Sequence, residues 1–321
     1  MQDLFNVNME DFSAPTQGSN QSENLFKPDP NLSRDKVYSA VVRPIYWLGN
    51  PNGFNPKQNY ISKKTFYLKN AAEEGGYFDS PFSIGEKCEA MSAFFKLKKE
   101  GKQDASAEDL ANEIKPKSSF FYLVYVEKDL TTPENEGKVM VWKAPIQIHK
   151  LIEGKVNPDE KALKLGKKAE DIFNPFSGRS IEVNVSINRF WNYDGCEWGE
   201  KGPISYNGAD IAEADKPAFA DLVKSGDALM EPYVYKPMSA ERTALLHSII
   251  AEKTGLSIGG TKTVAASNDL DIDMGAVPGA SNEVDAVAQE IAQPTSTEAP
   301  AEEAGNAEDI NDFLGDLDLD V

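Results

Sequence analysis

The chain has 321 residues and a formal net charge of −19, which by itself argues against a polyanionic partner. Two cysteines give no disulfide framework, and no stretch approaches the ~18 apolar residues of a membrane helix. The opening MQDLFNVNMEDF lacks a basic segment and an apolar run, so no secretion signal is expected and a soluble, reduced, cytoplasmic setting is.

The distribution of charge points the other way. No Lys or Arg precedes Lys27 or follows Lys262, while four acids lie in residues 1–26 and fifteen in 263–321. Residues 27–262 hold all 33 bases and 33 acids. The middle is neutral, and the excess sits in the ends, as in a folded unit carrying an acidic interaction tail.

Residues 1–33, rich in Asn, Ser, Asp, Gln and Pro, read as a mobile acidic arm. From Val37 the texture is that of strands: VYSAVVRPIYWL, then SKKTFYL (62–68), then SSFFYLVYV (118–126), with a Gly-Asn-Pro-Asn-Gly turn at 49–53. EKCEAMSAFFKLKKE (86–100) places Cys88, Met91, Phe94 and Phe95 along one helical face. SAEDLANEI (106–114) reads as a helix capped by Ser106, and Asn157 before Pro158 reads as the cap of another. In SIEVNVSINRFW (180–191) apolar residues alternate with polar ones, the mark of a half-buried strand. SAERTALLHSIIAEKTG (239–255) is a last helix with a serine cap and a glycine stop. The organisation predicted is a mobile arm (1–33), a core (34–258) and a disordered acidic tail (259–321), the core being a β-rich α+β unit built round a small barrel.

Enzyme signals are poor. His149 and His247, the only histidines, lie among apolar residues, and no phosphate loop, CxxC or HExxH is present. The acid pairs Glu73–Glu74 and Glu134/Glu136 suit solvated loops. Neither a catalytic constellation nor a cofactor is expected.

Basic charge interleaved with aromatics is the stronger pattern. Residues 34–69 carry Arg34, Lys36, Arg43, Lys57, Lys63, Lys64 and Lys69 against the single acid Asp35, among seven rings. Lys115 and Lys117 precede Phe120, Phe121 and Tyr122; Lys138 precedes Trp142 and Lys143; Arg189, Trp191 and Tyr193 end the alternating strand. Single-stranded DNA needs this mixture, lysines and arginines for phosphates and flat rings for unpaired bases. At least half of these rings must nevertheless be core, since a strand's side chains alternate between its two faces.

Lys128-Asp129 followed by Pro133-Glu-Asn-Glu-Gly-Lys-Val139 resembles the signature loop and strand of the single-stranded DNA-binding, helix-destabilising proteins of T-even phages. Ala40-Val41-Val42-Arg43, Lys117-Ser-Ser-Phe120-Phe121, Asn174-Pro-Phe-Ser-Gly178 and Asn192-Tyr193-Asp194 follow the family's order, so the likeness spans roughly residues 34–255. It implies an OB-fold core with Arg43, Lys117, Phe120, Phe121, Trp142 and Tyr193 on the DNA. Lys63, Lys64, Lys69, Lys138, Lys143 and Trp191 are added from charge and position. It also implies a phage protein of replication, recombination and repair, working in the cytoplasm of an infected bacterial host.

Two departures stand out. The family's best-known members hold a structural zinc after a stretch that Gly76-Tyr-Phe-Asp-Ser-Pro81 resembles, but here only Cys88 is near, and one thiol does not complete a tetrahedral site. No zinc is expected; the apolar face of helix 86–100 should pack in its place. The family's basic N-terminal arm, which makes binding cooperative, is replaced by residues 1–26 without a base.

The end of the tail, GNAEDINDFLGDLDLDV, spaces Ile310, Phe313, Leu314, Leu317 and Leu319 among acids. A purely solvating tail needs no apolar anchors, so this reads as a docking peptide for partner proteins, among which the resemblance implies replication and recombination proteins. The alternative reading is an acidic adaptor or scaffold whose core never meets DNA.

Overall fold

The computed structural model describes residues 24–50 and 55–258. Its first strand is short: β1 (Leu25–Phe26) lies parallel on β6 (Val139–Ala144), Leu25 beside Val141 and Phe26 beside Trp142. Phe26 is fully buried, its ring edge-on to Trp142 and to Tyr38. Residues 24–33, expected from sequence to end a mobile arm, are therefore seated on the core by one aromatic plug. The rest of the arm and the tail lie outside the described residues, as do the residues 51–54 of the predicted turn.

The sheet is organised by β5 (Lys117–Asp129). One edge pairs with β6; the other is shared, its first half pairing with β3 (Ile61–Lys69) and its second with β2 (Val37–Pro44). A strand divided between two neighbours on the same edge turns the sheet round its core, as an OB-type unit requires. β2 then pairs with β7 (Arg179–Asn188), which carries β8 (Phe190–Asn192) and β9 (Glu197–Lys201). Every predicted strand forms; in β7 buried apolar residues alternate with polar ones, Ile181, Val183 and Val185 fully buried and Glu182 exposed, whereas β5 is buried on both faces from Phe121 to Val126.

Helices fill the gaps, giving the expected mixed α+β class. α1 (Glu89–Glu100) and α2 (Ala105–Glu113) pack with α6 (Ala240–Thr254) against β3 and β4 (Gly75–Asp79). Phe66, Phe78, Met91, Phe94, Leu97, Ala111 and Ile249 form there a second apolar core. Cys88, which precedes α1, is buried in this cluster. Its lone thiol does not fit zinc: among the described residues no three His, Cys, Asp or Glu side chains gather as metal ligands.

Two expected caps move. The α2 cap is Asp104, whose carboxylate accepts from the Ser106 amide. The cap of α4 (Glu160–Lys164) is Asp159, while Asn157 closes α3 (Ile146–Val156). In both places a carboxylate at the cap position satisfies the first free amides. α3 and α5 (Lys216–Met230) are additions that the sequence patterns do not predict. Ser239 and the left-handed Gly255 bound α6 as expected. The remaining short hairpin pairs β10 (Ser205–Tyr206) with β11 (Ala209–Asp210). Among the described residues no helix is long and apolar enough to cross a membrane.

The resemblance's most specific segment is a structural loop. Asp129 is fully buried, and its carboxylate accepts from the Tyr38 hydroxyl, the amides of Thr131 and Thr132, and the Asn135 side chain. The Glu136 carboxylate accepts from the Asp129 amide. Gly137 takes φ +77°, a left-handed turn that leads into β6.

Candidate nucleic-acid interface

The ladders of β3, β5 and β6 sort the candidate residues onto two faces. Residues directly opposite in an antiparallel pair share a face. Lys63 is opposite Ser119, and Lys143 is opposite Phe121. Since residues two apart on β5 alternate back to the same side, Lys63, Lys117, Phe121 and Lys143 lie on one face. Lys64 opposite Ser118, and Ser62 opposite Phe120, lie on the other.

On the first face three ammonium groups converge. Lys143 reaches solvent, yet the protein atoms packed round its stem, and then the charges of Lys117 and Lys63, hold its ammonium below the ordinary lysine value. The Lys63 ammonium lies 2.6 Å from the Asp79 carboxylate. Like charges held together at a cost make a site for an anion that can relieve the repulsion. The Lys143 ammonium lies 6.0 Å from the centroid of Phe121. Phe121 itself is only 5% exposed, covered by Tyr233 stacked at 4.4 Å, so it braces the lysines rather than offering a ring.

The second face holds the accessible ring. Phe120 is half-buried and lies flat on His149, with centroids 3.5 Å apart and planes 10° apart; Tyr60 meets it edge-on. The Lys64 ammonium donates to Ser118 Oγ at 2.9 Å. His149 is buried, hydrogen-bonded through Nδ1 to the Tyr122 hydroxyl at 2.7 Å. Burial, then the charges of Lys64 and Lys150, lowers its pKa to about 4, so the imidazole is neutral near pH 7.

This has a consequence for acid stability. Between an ordinary pKa of about 6.5 and the folded value of about 4, the unfolded chain takes up a proton that the folded chain refuses. Stability therefore falls with pH across that window, by about 3 kcal/mol in all from this one group. Urea unfolding at pH 7 and pH 4.5 should show His149→Phe losing much less stability on acidification than the parent; equal losses would refute the assignment.

Other expected residues lie elsewhere. Arg43 is 1% exposed; it donates to the Gly202 and Pro203 carbonyls at 3.1 Å and stands 3.9 Å from Glu127, so it ties a loop to β2 instead of meeting a phosphate. Trp142, 1% exposed, is core. Lys69 sits at the far end of β3, paired with Glu73. Lys138 is exposed on the β5–β6 turn. Trp191 and Tyr193, both half-buried, lie on or just beyond β8, and burial raises the Tyr193 phenol. Register places Lys138 opposite Val126, about 20 Å along β5 from Phe120, and β8 farther on, toward the Asp129 end.

Several residues carry no signal in the sequence. Tyr60, His149, Lys150 and Tyr233 complete the surroundings of Phe120 and Phe121, but they come from a turn, an unpredicted helix and the stretch after α5. Phe190, 74% exposed at the β7–β8 tip beneath the Arg189 guanidinium 5.7 Å away, does carry one: an aromatic beside arginine where the alternation of β7 ends. Arg189 holds a left-handed φ of +63°, which turns the tip.

A family model described as "gp32 DNA binding protein like" matches residues 40–222, more than half of the chain. The chain belongs to this family. No individually curated protein matches it. The match contains β3, β5, β6, β7 and all of β2 but its first three residues, and with them every strand that carries the converging lysines and Phe120.

Proposed function

We propose that this chain binds single-stranded DNA without regard to sequence, as a non-enzymatic protein of phage replication, recombination and repair in the host cytoplasm. The observation that carries this reading is the convergence of Lys63, Lys117 and Lys143 from three adjacent strands, close enough that the first two charges depress the third. Phosphates are the anions that relieve this mutual repulsion. Phe120 on one side, and Phe190 at the hairpin tip, offer flat surfaces to unpaired bases. The acidic tail competes with DNA for this end of the sheet, and its terminal peptide with Ile310, Phe313, Leu314, Leu317 and Leu319 recruits partner proteins.

Anisotropy titration of labelled oligo-dT, against duplex of equal length and across salt, tests this. Tight, salt-sensitive binding to the single strand and weak binding to the duplex are expected. Replacing Lys63, Lys117 and Lys143 together by Gln should flatten the log–log salt slope by about 2, at about 0.7 per phosphate contact on single strands. Phe120→Ala should weaken binding by about 1–3 kcal/mol with the slope unchanged. Deleting 263–321 should tighten binding at low salt. Absence of strand binding even after that deletion would overturn the proposal and leave an acidic adaptor as the reading.

A further inference from the structure

Beyond the far end of α3, about 16 Å along an eleven-residue helix from the strand face, lies a second basic surface. Residues 161–168, KALKLGKK, hold four lysines and no acid. Among them Leu163 is 52% and Leu165 73% exposed. Their exposure is not that of a frayed end. The Leu165 amide donates to the Lys161 and Ala162 carbonyls, Gly166 to Leu163, and Lys167 back to Ala162, with Gly166 at φ +80° closing the turn. The neighbouring acids are occupied: Glu160 pairs with Lys164, Asp159 caps α4, and Glu170 is shared by Lys155 and Arg179. Among the described residues no carboxylate pairs with Lys161, Lys167 or Lys168. A rigid knob with two bare leucines among unanswered lysines is built for an acidic, apolar segment.

The chain carries such a segment. Ile310, Phe313, Leu314 and Leu317 are spaced i, i+3, i+4, i+7, the anchors of one helical face, and Asp309, Asp312, Asp316 and Asp318 stand between or beside them. We propose that the terminal peptide of this chain, residues 309–319, docks on its own Leu163–Leu165 surface when no partner holds it. Fifty-one residues separate Ile258 from Ile310; a random coil of that length has an end-to-end distance of about 40 Å, enough to reach across a domain of this size. Tethering raises the local peptide concentration to about the millimolar range, so weak contacts suffice. The inference deepens the reading of the tail: anchors held at α4 hide the partner-docking peptide and bring the preceding acids toward the lysines of the strand face.

Photocrosslinking in the full chain decides it. With a benzophenone amino acid replacing Phe313, irradiation at low salt should give intramolecular crosslinks to residues 161–168. Their yield should fall about ten-fold in the Leu163→Ser/Leu165→Ser double variant. A Lys161→Gln/Lys167→Gln/Lys168→Gln variant should weaken them as well, and both variants replace only exposed side chains. Crosslinks to β3, β5 or β6, crosslinks only between molecules, or no crosslinks at all would each overturn the proposal. Oligo-dT affinity measured on the same proteins reports separately on DNA binding, so failure of the docking leaves that reading intact.

Discussion

Trp142→Ala should destabilise the protein by about 3–5 kcal/mol, read as a shift of the urea midpoint at constant slope. The indole is 1% exposed, lies opposite Tyr122 and edge-on to Phe26, and fills the joint between β6 and β1. Truncating it leaves a cavity that two flanking strands cannot close. Its Nε1 hydrogen meets no acceptor. Trp142→Phe keeps a ring and removes that unsatisfied donor, so its cost should be much smaller. This pair of variants separates core from interface. Trp142→Phe should bind oligo-dT as the parent does, because the ring never reaches solvent. A folded Trp142→Phe protein with lost strand affinity would return Trp142 to the DNA-contacting set.

Asp129→Ala should cost a similar amount, about 3 kcal/mol or more, through unpaired groups instead of a void. Removing the carboxylate strands the Tyr38 hydroxyl, two amides and the Asn135 side chain together. Each buried group left without a partner costs about 1–3 kcal/mol, though the sum is less than additive because the loop relaxes. Asp129→Asn retains one acceptor and should recover part of the loss. Hydrogen exchange supplies the second readout: the amides of residues 131–138 should lose protection before those of β5. Uniform loss across both would show that the loop and the strand unfold as one unit.

The strands were legible because each is rich in β-branched and aromatic residues, with alternation clearest in β7, and tertiary packing agreed with that local preference. Helices α3 and α5 were not: α3 follows Pro145 with no Ser, Thr, Asn or Asp at its cap, and the Asp215 before α5 accepts from the Ala212 amide instead of capping that helix. For the candidate site, the sequence shows the residue types but not which of them share a face. Lys63, Lys117 and Lys143 come together on one face of the sheet, and Lys64 and Phe120 lie on the other, because β3 and β6 flank the same end of β5. Arg43 and Trp142 look identical in sequence to surface residues; only the pairing of β2 with β5 and β7, and of β6 with β1, turns them inward. The PENEGKV segment suggested function by its likeness, and its chemistry proves to be that of a hydrogen-bonded turn.

The pairing of β2 with β7 has a consequence during synthesis. Tyr38 stands opposite Val185, so the strand that opens the core must wait for a partner 147 residues later in the chain. At roughly 5–20 residues per second, a ribosome needs about 7–30 s to make that stretch. Through this interval nascent β2 carries Tyr38, Ala40 and Val42, all destined for the interior, with one edge unfilled. Chains arrested before residue 188 should be aggregation-prone and bound by holdase chaperones, and slowing translation between β6 and β7 should lower the yield of soluble protein.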